Sequence, residues 1–177
     1  KYLLFPRSLG RRLQSKSNPI DVLHVVDHSN AVYLPKVQRI TSLAKLLTCH
    51  DLIAIRTAHN EFPEAPRTSA SGKRLQNWIH RSLPYADAYA CDSSRTEMDL
   101  NRITPASKGR SELIHLGIQS ERVDDNPIKD LPFNPMRTSF LLHVGSSAWY
   151  KNRKRLFNAF VDIKEGENFK SLKLVLV

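Results

Sequence analysis

Short apolar runs alternate with amphipathic stretches along most of the chain. The apolar runs predict buried strands, and stretches with apolar residues three or four positions apart predict helices. The predicted strands are 20–26, 43–48, 85–92, 112–116, 140–144 and 172–177. Helices are predicted at 31–39, where Pro35 interrupts the pattern, at 72–83 and at 152–165. A further helix is predicted to begin at the capping residue Ser94, which has Glu97 three positions later. Residues 56–71 are rich in proline and polar residues and predict a loop. Strands that alternate with helices indicate an α/β protein with parallel sheets.

The composition changes between residues 119 and 136. Asp, Asn and Pro are concentrated there, which is typical of a linker. We therefore predict one α/β domain at 1–118, a linker at 119–136, and the start of a second domain at 137–177. The chain begins with Lys1 and ends within an apolar strand, so we expect both domains to be incomplete and the chain to be part of a longer protein.

The segment FLLHVGSSAWYKN, residues 140–152, carries the clearest local signal. A strand predicted to be buried on both faces ends at Gly145, and a polar loop then leads through Lys151 to Asn152, the predicted N-cap of the next helix. A helix N-terminus presents unpaired N–H groups and positive dipole charge, which favour phosphate, and Lys151 adds a cation for a diphosphate. The same pattern also occurs in α/β proteins that bind nothing there, and it is neither a dinucleotide fingerprint nor a Walker loop.

The chain is strongly basic. Lys and Arg number 27 against 17 Asp and Glu, which gives a formal charge of +10. Such a surface attracts nucleic acid, anionic lipid headgroups or phosphorylated substrates, but the cations are dispersed, which weakens the nucleic-acid interpretation. No apolar run has the length of a membrane span. Cys49 and Cys91 are predicted to be reduced and buried.

Polar residues follow the predicted strands at several positions. In open parallel sheets, ligands bind beyond the carboxyl ends of the strands. The strand-end residues are Asp27, His28, His50, Asp51, Asp92, Ser93, Gly117 and the loop 145–152. On spacing alone, His50 is better interpreted as a loop histidine that is satisfied by the backbone than as a ligand-binding residue.

Five segments, in order, resemble the group-one (family four) retaining glycosyltransferases, which have the GT-B architecture of two Rossmann-like domains. The segments are IDVLHVVDHSN, LLTCHDLIAIR, LPYADAYACDSSRTEMDL, ELIHLGIQ and FLLHVGSSAWYKNRKRLFNAF. They cover residues 21–177, a central slice of such an enzyme. The resemblance implies two parallel-sheet domains whose strand ends face a shared cleft.

The resemblance also implies an activity, namely metal-independent transfer of a hexose with retention. The donor is a nucleotide sugar and the acceptor a glycan or lipid-linked molecule in surface polysaccharide or glycolipid synthesis. It implies no further cofactor, and a cytoplasmic enzyme that contacts the inner face of an anionic membrane.

Roles follow for individual positions. His50 matches the catalytic histidine that approaches the donor sugar, and Gly145, Ser146, Lys151 and Asn152 match the loop that holds the donor diphosphate. Ser146 stands where the family often has Arg. Asp27, His28 and Asp51 are assigned to the acceptor side of the cleft, although capping or orienting the loop explains Asp51 equally well.

Two family features do not occur in the chain, so full activity is not expected from it alone. The family's glycine-rich loop would precede Lys1, and its Glu-x₇-Glu pair would follow Val177. The alternatives are therefore a basic nucleic-acid-binding module and an inactive, truncated transferase fragment that only folds or holds a partner.

Overall fold

The computed structural model describes Leu9, Arg12, Leu13 and residues 20–40, 42–117, 133–166 and 169–177. The chain separates into two compact units, Lys1–Ile118 and Gln119–Val177. Most of the predicted linker, residues 119–132, lies outside the described residues. The roles that we assign to the two parts of the chain remain predictions.

Within the described residues, the first unit contains a parallel sheet of four strands in the order β1-β2-β3-β4. The strands are β1 (Val22–Val25), β2 (Ala44–Cys49), β3 (Ala88–Cys91) and β4 (Ser111–Leu113). The α-helices are α1 (Leu34–Val37), α2 (Ile53–Ala58), α3 (Ala70–Ser82) and α4 (Ser94–Ile103). Short 3₁₀ helices span His28–Tyr33, Leu83–Tyr85 and Pro105–Ser107.

The sequential strand order decides which face of the sheet is covered. Parallel crossovers are right-handed, so strands added one after another in the same direction place all their connecting helices on the same face. The burial agrees, because Leu47 and Cys49 are fully buried on one face, whereas Val22 on the other is 53% exposed. The predicted α/β class with parallel sheets is confirmed, and the sheet is compatible with a Rossmann-like domain.

The hydrophobic core lies on the covered face. Its sheet residues Leu47, Cys49, Tyr89 and Cys91 pack with buried residues of the helices, including Leu34, Ile55, Ile79, Leu83 and Leu100. Both cysteines are free and buried, as predicted. Burial raises the pKa of the Cys91 thiol to about 11 and raises that of Cys49 further, so both thiols stay protonated at neutral pH.

Three local predictions in this unit were wrong. The predicted loop at 56–71 begins inside α2, which is short and has no side-chain cap that a pattern could show. Pro35 lies in the first turn of α1 rather than interrupting a helix, because the first turn needs no donor from that nitrogen. The N-cap of α4 is Ser93, whose hydroxyl accepts from Thr96 N, and Glu97 instead accepts from the Ser111 hydroxyl.

The second unit forms the predicted βαβ segment. Strands β5 (Phe140–His143) and β6 (Lys173–Leu176) pair in parallel, and a 3₁₀ helix (Trp149–Lys151) and α5 (Arg153–Lys164) connect them. The prediction that the first of these strands is buried on both faces was wrong, because Leu141 is 41% exposed and Leu142 is 57% exposed. Two strands and one helix cannot cover both faces of a sheet, and no described residue of this unit is buried.

Candidate functional site

The carboxyl ends of β1, β2 and β3 gather the predicted residues of the first unit at one edge of the sheet. Cys49 and Cys91 are register partners on neighbouring strands, so the residues that follow them, His50 and Asp92, leave the sheet side by side. Their side chains are hydrogen-bonded, with 3.0 Å between His50 Nδ1 and Asp92 Oδ2. The pair therefore forms the centre of the candidate site in this unit.

Both ring nitrogens of His50 have acceptor partners. Nδ1 faces the Asp92 carboxylate, and Nε2 lies 3.0 Å from the backbone oxygen of Val26, beyond the end of β1. A ring that donates from both nitrogens is an imidazolium. The hydrogen bond to Asp92, together with that to Val26, accordingly raises the pKa of His50 above its ordinary value.

This geometry bears directly on the role predicted for His50. Its side chain is 40% exposed, so a ligand can reach it, but Nε2 is bonded to the Val26 carbonyl. A sugar hydroxyl can accept from Nε2 only if it displaces or shares that bond. The bond of Nε2 to a backbone carbonyl agrees with the interpretation from spacing alone, in which His50 is a loop histidine that is satisfied by the backbone.

Asp27 and Asp51 have structural roles at the same edge. Each carboxylate accepts from a backbone N–H two residues later: Asp27 from Ser29 at 2.7 Å and Asp51 from Ile53 at 2.9 Å. Partial burial acts to raise the pKa of Asp27, but the hydrogen bonds from Ser29 outweigh it, so the pKa lies below its ordinary value. Both residues shape the turns that lead into the next helices beside His50.

His28 lies deeper than the predicted acceptor contact requires. It is only 9% exposed, and its Nδ1 lies 3.8 Å from Asp27 Oδ1. No hydrogen-bond partner for Nδ1 is found among the described residues. Burial lowers the pKa of His28 despite the nearby carboxylates of Asp27 and Asp51, so the pKa values of the neighbouring His28 and His50 are shifted in opposite directions.

Two residues at this edge have roles that sequence reasoning missed. Asp92 was recognised only as a strand-end residue, yet its hydrogen bond is the main cause of the raised pKa of His50. Thr96, which is buried, donates its hydroxyl to the backbone oxygen of His50 at 2.9 Å and so holds the loop from behind. The available signal was positional, because Asp92 follows its strand just as His50 follows the neighbouring one.

Several backbone donors of the predicted phosphate loop in the second unit are bonded within the protein. Gly145 N donates to Val177 O at 2.9 Å, Lys151 N to Ala148 O at 2.9 Å, and Asn152 N to Trp149 O at 3.0 Å. The predicted cradle of outward N–H groups is therefore not formed by these three residues. Side-chain donors remain, of which the exposed Lys151 ammonium is the strongest.

The start of α5 is built as predicted. Asn152 is its N-cap and accepts from Arg155 N at 3.3 Å. Asn152 is also left-handed, with φ of 48°, a conformation that asparagine tolerates better than most residues. The Ser146 hydroxyl accepts from Ala148 N at 3.4 Å, and its role as a phosphate contact stays a prediction.

Arg153 is a further residue that the sequence did not single out. Its Nη2 donates to Gly145 O and to Val177 O, so it connects the loop after β5 to the end of β6. With Lys151, Lys154 and Arg155 it forms a cationic cluster, and residues 140–161 contain no Asp or Glu. The loop region is therefore electropositive because of its own sequence.

The structure thus brings together Asp27, His28, His50 and Asp51 in one unit, and Gly145, Ser146, Lys151 and Asn152 in the other. A cleft shared by the two groups remains a prediction. A pocket of about 300 Å³ lies along β1, but none of these eight residues lines it. Among the described residues, no group of His, Cys, Asp or Glu side chains could hold a metal ion.

The comparisons with known proteins give no family for this chain. No family model matches it, and no curated protein is similar to it. In the part of the chain that the structure describes, no helix has the length and apolar character needed to cross a membrane. The resemblance to group-one glycosyltransferases therefore stays a prediction that rests on its motifs.

Proposed function

We propose that the protein belongs to a retaining glycosyltransferase of GT-B type, which moves a hexose from a nucleotide sugar to a glycan or lipid-linked acceptor. The observation that carries this proposal is the loop before α5. There an exposed lysine, Lys151, precedes the capped N-terminus of a helix in a stretch without carboxylates. A helix dipole and nearby cations are what a leaving nucleoside diphosphate requires.

The edge of the first sheet supplies the second half of the chemistry. Retaining transfer proceeds through a state in which the sugar carbon becomes positive while the diphosphate leaves with negative charge. His50 can donate from Nε2 to a sugar hydroxyl or a phosphate oxygen that displaces or shares its bond to Val26 O, while Asp92 holds the ring through Nδ1. In this scheme Lys151 binds the donor diphosphate and His50 positions the sugar.

Calorimetric titration of UDP and GDP into the protein tests the donor site. We expect saturable binding of one of them and a loss of roughly ten-fold or more in Lys151→Ala, since a hydrogen bond to a charged group contributes about 1.5–3 kcal/mol. Lys164→Ala is the matched control, because it removes the same charge from the last turn of α5, at the opposite end from Lys151. Absence of saturable binding, or equal losses in both variants, contradicts the proposal.

An inactive transferase fragment is a second candidate. It is favoured by the hydrogen bonds that already occupy both ring nitrogens of His50. Transfer from labelled nucleotide sugars distinguishes the two, because an active enzyme forms product that is lost in His50→Ala, and an inactive fragment binds nucleotide without forming product. Binding to oligonucleotides that weakens steeply with salt, without preference for nucleoside diphosphates, would instead indicate the nucleic-acid-binding module.

A further inference from the structure

One surface of the first unit combines exposed aromatic and apolar residues with cations. On α3, Leu75 is 38% exposed and Trp78 is 41% exposed, and Tyr85, in the 3₁₀ turn that follows, is 38% exposed. Arg74 and Arg81 are exposed on the same helix. Helical spacing places Arg74 and Arg81 beside Trp78, and Leu75 one turn before it. We call these five residues the α3 face.

The α3 face adjoins the side of the helix that enters the core, and Leu75 and Trp78 lie at the margin of that packed side. Ile79 and Ser82 of α3 are buried, and Ile79 belongs to the core cluster. A helix with one packed face normally has a polar opposite face. Here the margin of the packed side leaves a tryptophan and a leucine partly exposed beside two arginines, a combination that is typical of an interaction surface.

The α3 segment and the described elements that pack most extensively against it contain no acidic residue. Residues 65–86 contain no Asp or Glu. Among the described elements, the 3₁₀ helix His28–Tyr33, α2 and the 3₁₀ turn Leu83–Tyr85 pack against α3, and none of them contains a carboxylate residue.

The cations of α3 are not neutralised within the protein. Lys73 Nζ donates to Asn60 Oδ1, a neutral partner, at 3.3 Å. In the described parts of the chain, neither Arg74 nor Arg81 lies within ion-pair distance of a carboxylate. The positive potential of this surface is therefore available to an external anion.

We propose that the α3 face binds the surface of an anionic lipid bilayer. Trp and Tyr rings favour the headgroup level, a leucine gains by reaching the acyl boundary, and arginines pair with lipid phosphates. Nucleic acid would use the arginines and the rings but would give Leu75 no apolar partner. The proposal identifies the surface at which the protein binds the membrane. Its relevance to a lipid-linked acceptor rests on the proposed function.

Co-sedimentation of the protein with vesicles tests this surface. We expect binding to equimolar phosphatidylcholine and phosphatidylglycerol and little binding to phosphatidylcholine alone. Each cation near an anionic surface adds about five-fold in affinity, so Arg74→Gln with Arg81→Gln should weaken binding about twenty-five-fold. The matched control, Lys164→Gln with Lys170→Gln, removes two exposed cations from the other unit and should bind nearly as the unaltered protein does.

Fluorescence tests whether Trp78 enters the lipid. The chain has two tryptophans, so in Trp149→Phe the emission reports Trp78 alone. We expect a blue shift with anionic vesicles and quenching by brominated lipid. An unshifted emission, equal losses in the two double variants, or binding that the arginine variant keeps would each overturn the proposal. A loss confined to oligonucleotide binding would overturn it in favour of nucleic acid.

The two proposals fail separately. The arginine variant should bind nucleoside diphosphate like the unaltered protein, because it leaves the loop before α5 intact. If nucleotide titration shows no binding while the vesicle results stand, the transferase proposal is lost and the membrane surface remains.

Discussion

At the scale of single residues, the protonation of His50 is the feature on which the chemistry of the first unit depends. Its two ring nitrogens face a carboxylate and a carbonyl, so only the imidazolium satisfies both. A neutral ring would have to abandon one of these bonds. His50 is therefore better suited to donate hydrogen bonds than to accept a proton as a general base at neutral pH.

Replacing Asp92 should lower the pKa of His50. Asp92→Asn keeps an acceptor oxygen but removes the charge, so we expect the pKa of His50, measured by NMR titration of its ring, to fall towards the ordinary value of 6.5. Asp51→Asn is the control, because Asp51 bonds to Ile53 N rather than to the ring. Equal pKa changes in the two variants would mean that the pair does not charge the histidine.

The His50–Asp92 pair makes a contribution to stability that depends on pH. Because the pKa of His50 is raised by folding, its contribution is fully present below about pH 6.5 and is lost as the pH rises through the folded-state pKa. The unfolding free energy of the unaltered protein should exceed that of Asp92→Asn by less than about 1 kcal/mol, since the ring is partly exposed, and this excess should shrink at alkaline pH. His28 has the opposite sign, because burial lowers its pKa and its contribution is lost as the pH falls.

At the scale of elements, an ion-pair network connects α2, the loop after it and α4. Asp99 Oδ2 accepts from Arg56 Nη1 at 2.6 Å, and Arg56 Nε donates to Glu61 Oε2 at 2.8 Å. Arg102 donates to the same Glu61 carboxylate at 2.7 Å. Since the Arg56 and Asp99 side chains are 13% and 11% exposed, their pairing is needed to hold both charges inside the fold.

Breaking this network on one side should be costly. Asp99→Ala leaves the enclosed Arg56 with Glu61 alone, so we expect the free energy of unfolding in urea to fall by about 3 kcal/mol, the lower end of the range for breaking a buried pair. Arg95→Ala removes another partner of Asp99, but the Arg95 side chain is 71% exposed and its loss should cost less than about 1 kcal/mol. Similar costs for the two variants would show that burial does not set the strength of the network.

Strand positions could be predicted from the sequence more fully than strand environments. The apolar runs located all six described strands, because a strand's side-chain pattern is local. Helix α2 was missed because six residues are too few for a helical pattern to be recognised. The capping-box spacing of Ser94 and Glu97 misplaced the N-cap of α4 by one residue, because Ser93 caps the helix without a Glu or Gln three positions later. Burial of β5 could not be predicted from its residues, since it depends on what covers the sheet.

The candidate site shows the same division. The positions of His50 and Asp92 at strand ends follow from the pattern, but their hydrogen bond depends on the register between β2 and β3, which no local pattern contains. The hydrogen bond from Gly145 N to Val177 O likewise depends on the pairing of β5 with β6. A local sequence pattern can therefore predict backbone N–H groups that are available to a ligand, but it cannot show that a neighbouring strand already accepts their hydrogen bonds.

At the scale of the whole molecule, the two units differ in how much they bury. The described buried residues all belong to the first unit, where sheet and helices enclose a common core. In the second unit the apolar residues of both strands and of α5 stay partly exposed, with Phe157 at 54%. Since burial of apolar area is the main source of stability, the first unit should be much the more stable.

Matched leucine substitutions and hydrogen exchange test this difference. Leu47→Ala deletes a fully buried side chain of β2 and should cost about 2–5 kcal/mol, whereas Leu142→Ala, at a position 57% exposed in β5, should cost less than about 1 kcal/mol. Exchange followed by mass spectrometry should show slow amides in β2 and β3 and faster ones in β5 and β6, and Leu47→Ala should accelerate only the first group. Equal protection of both sheets, or a large cost for Leu142→Ala, would show that the second sheet is covered in solution by something that these residues alone do not provide.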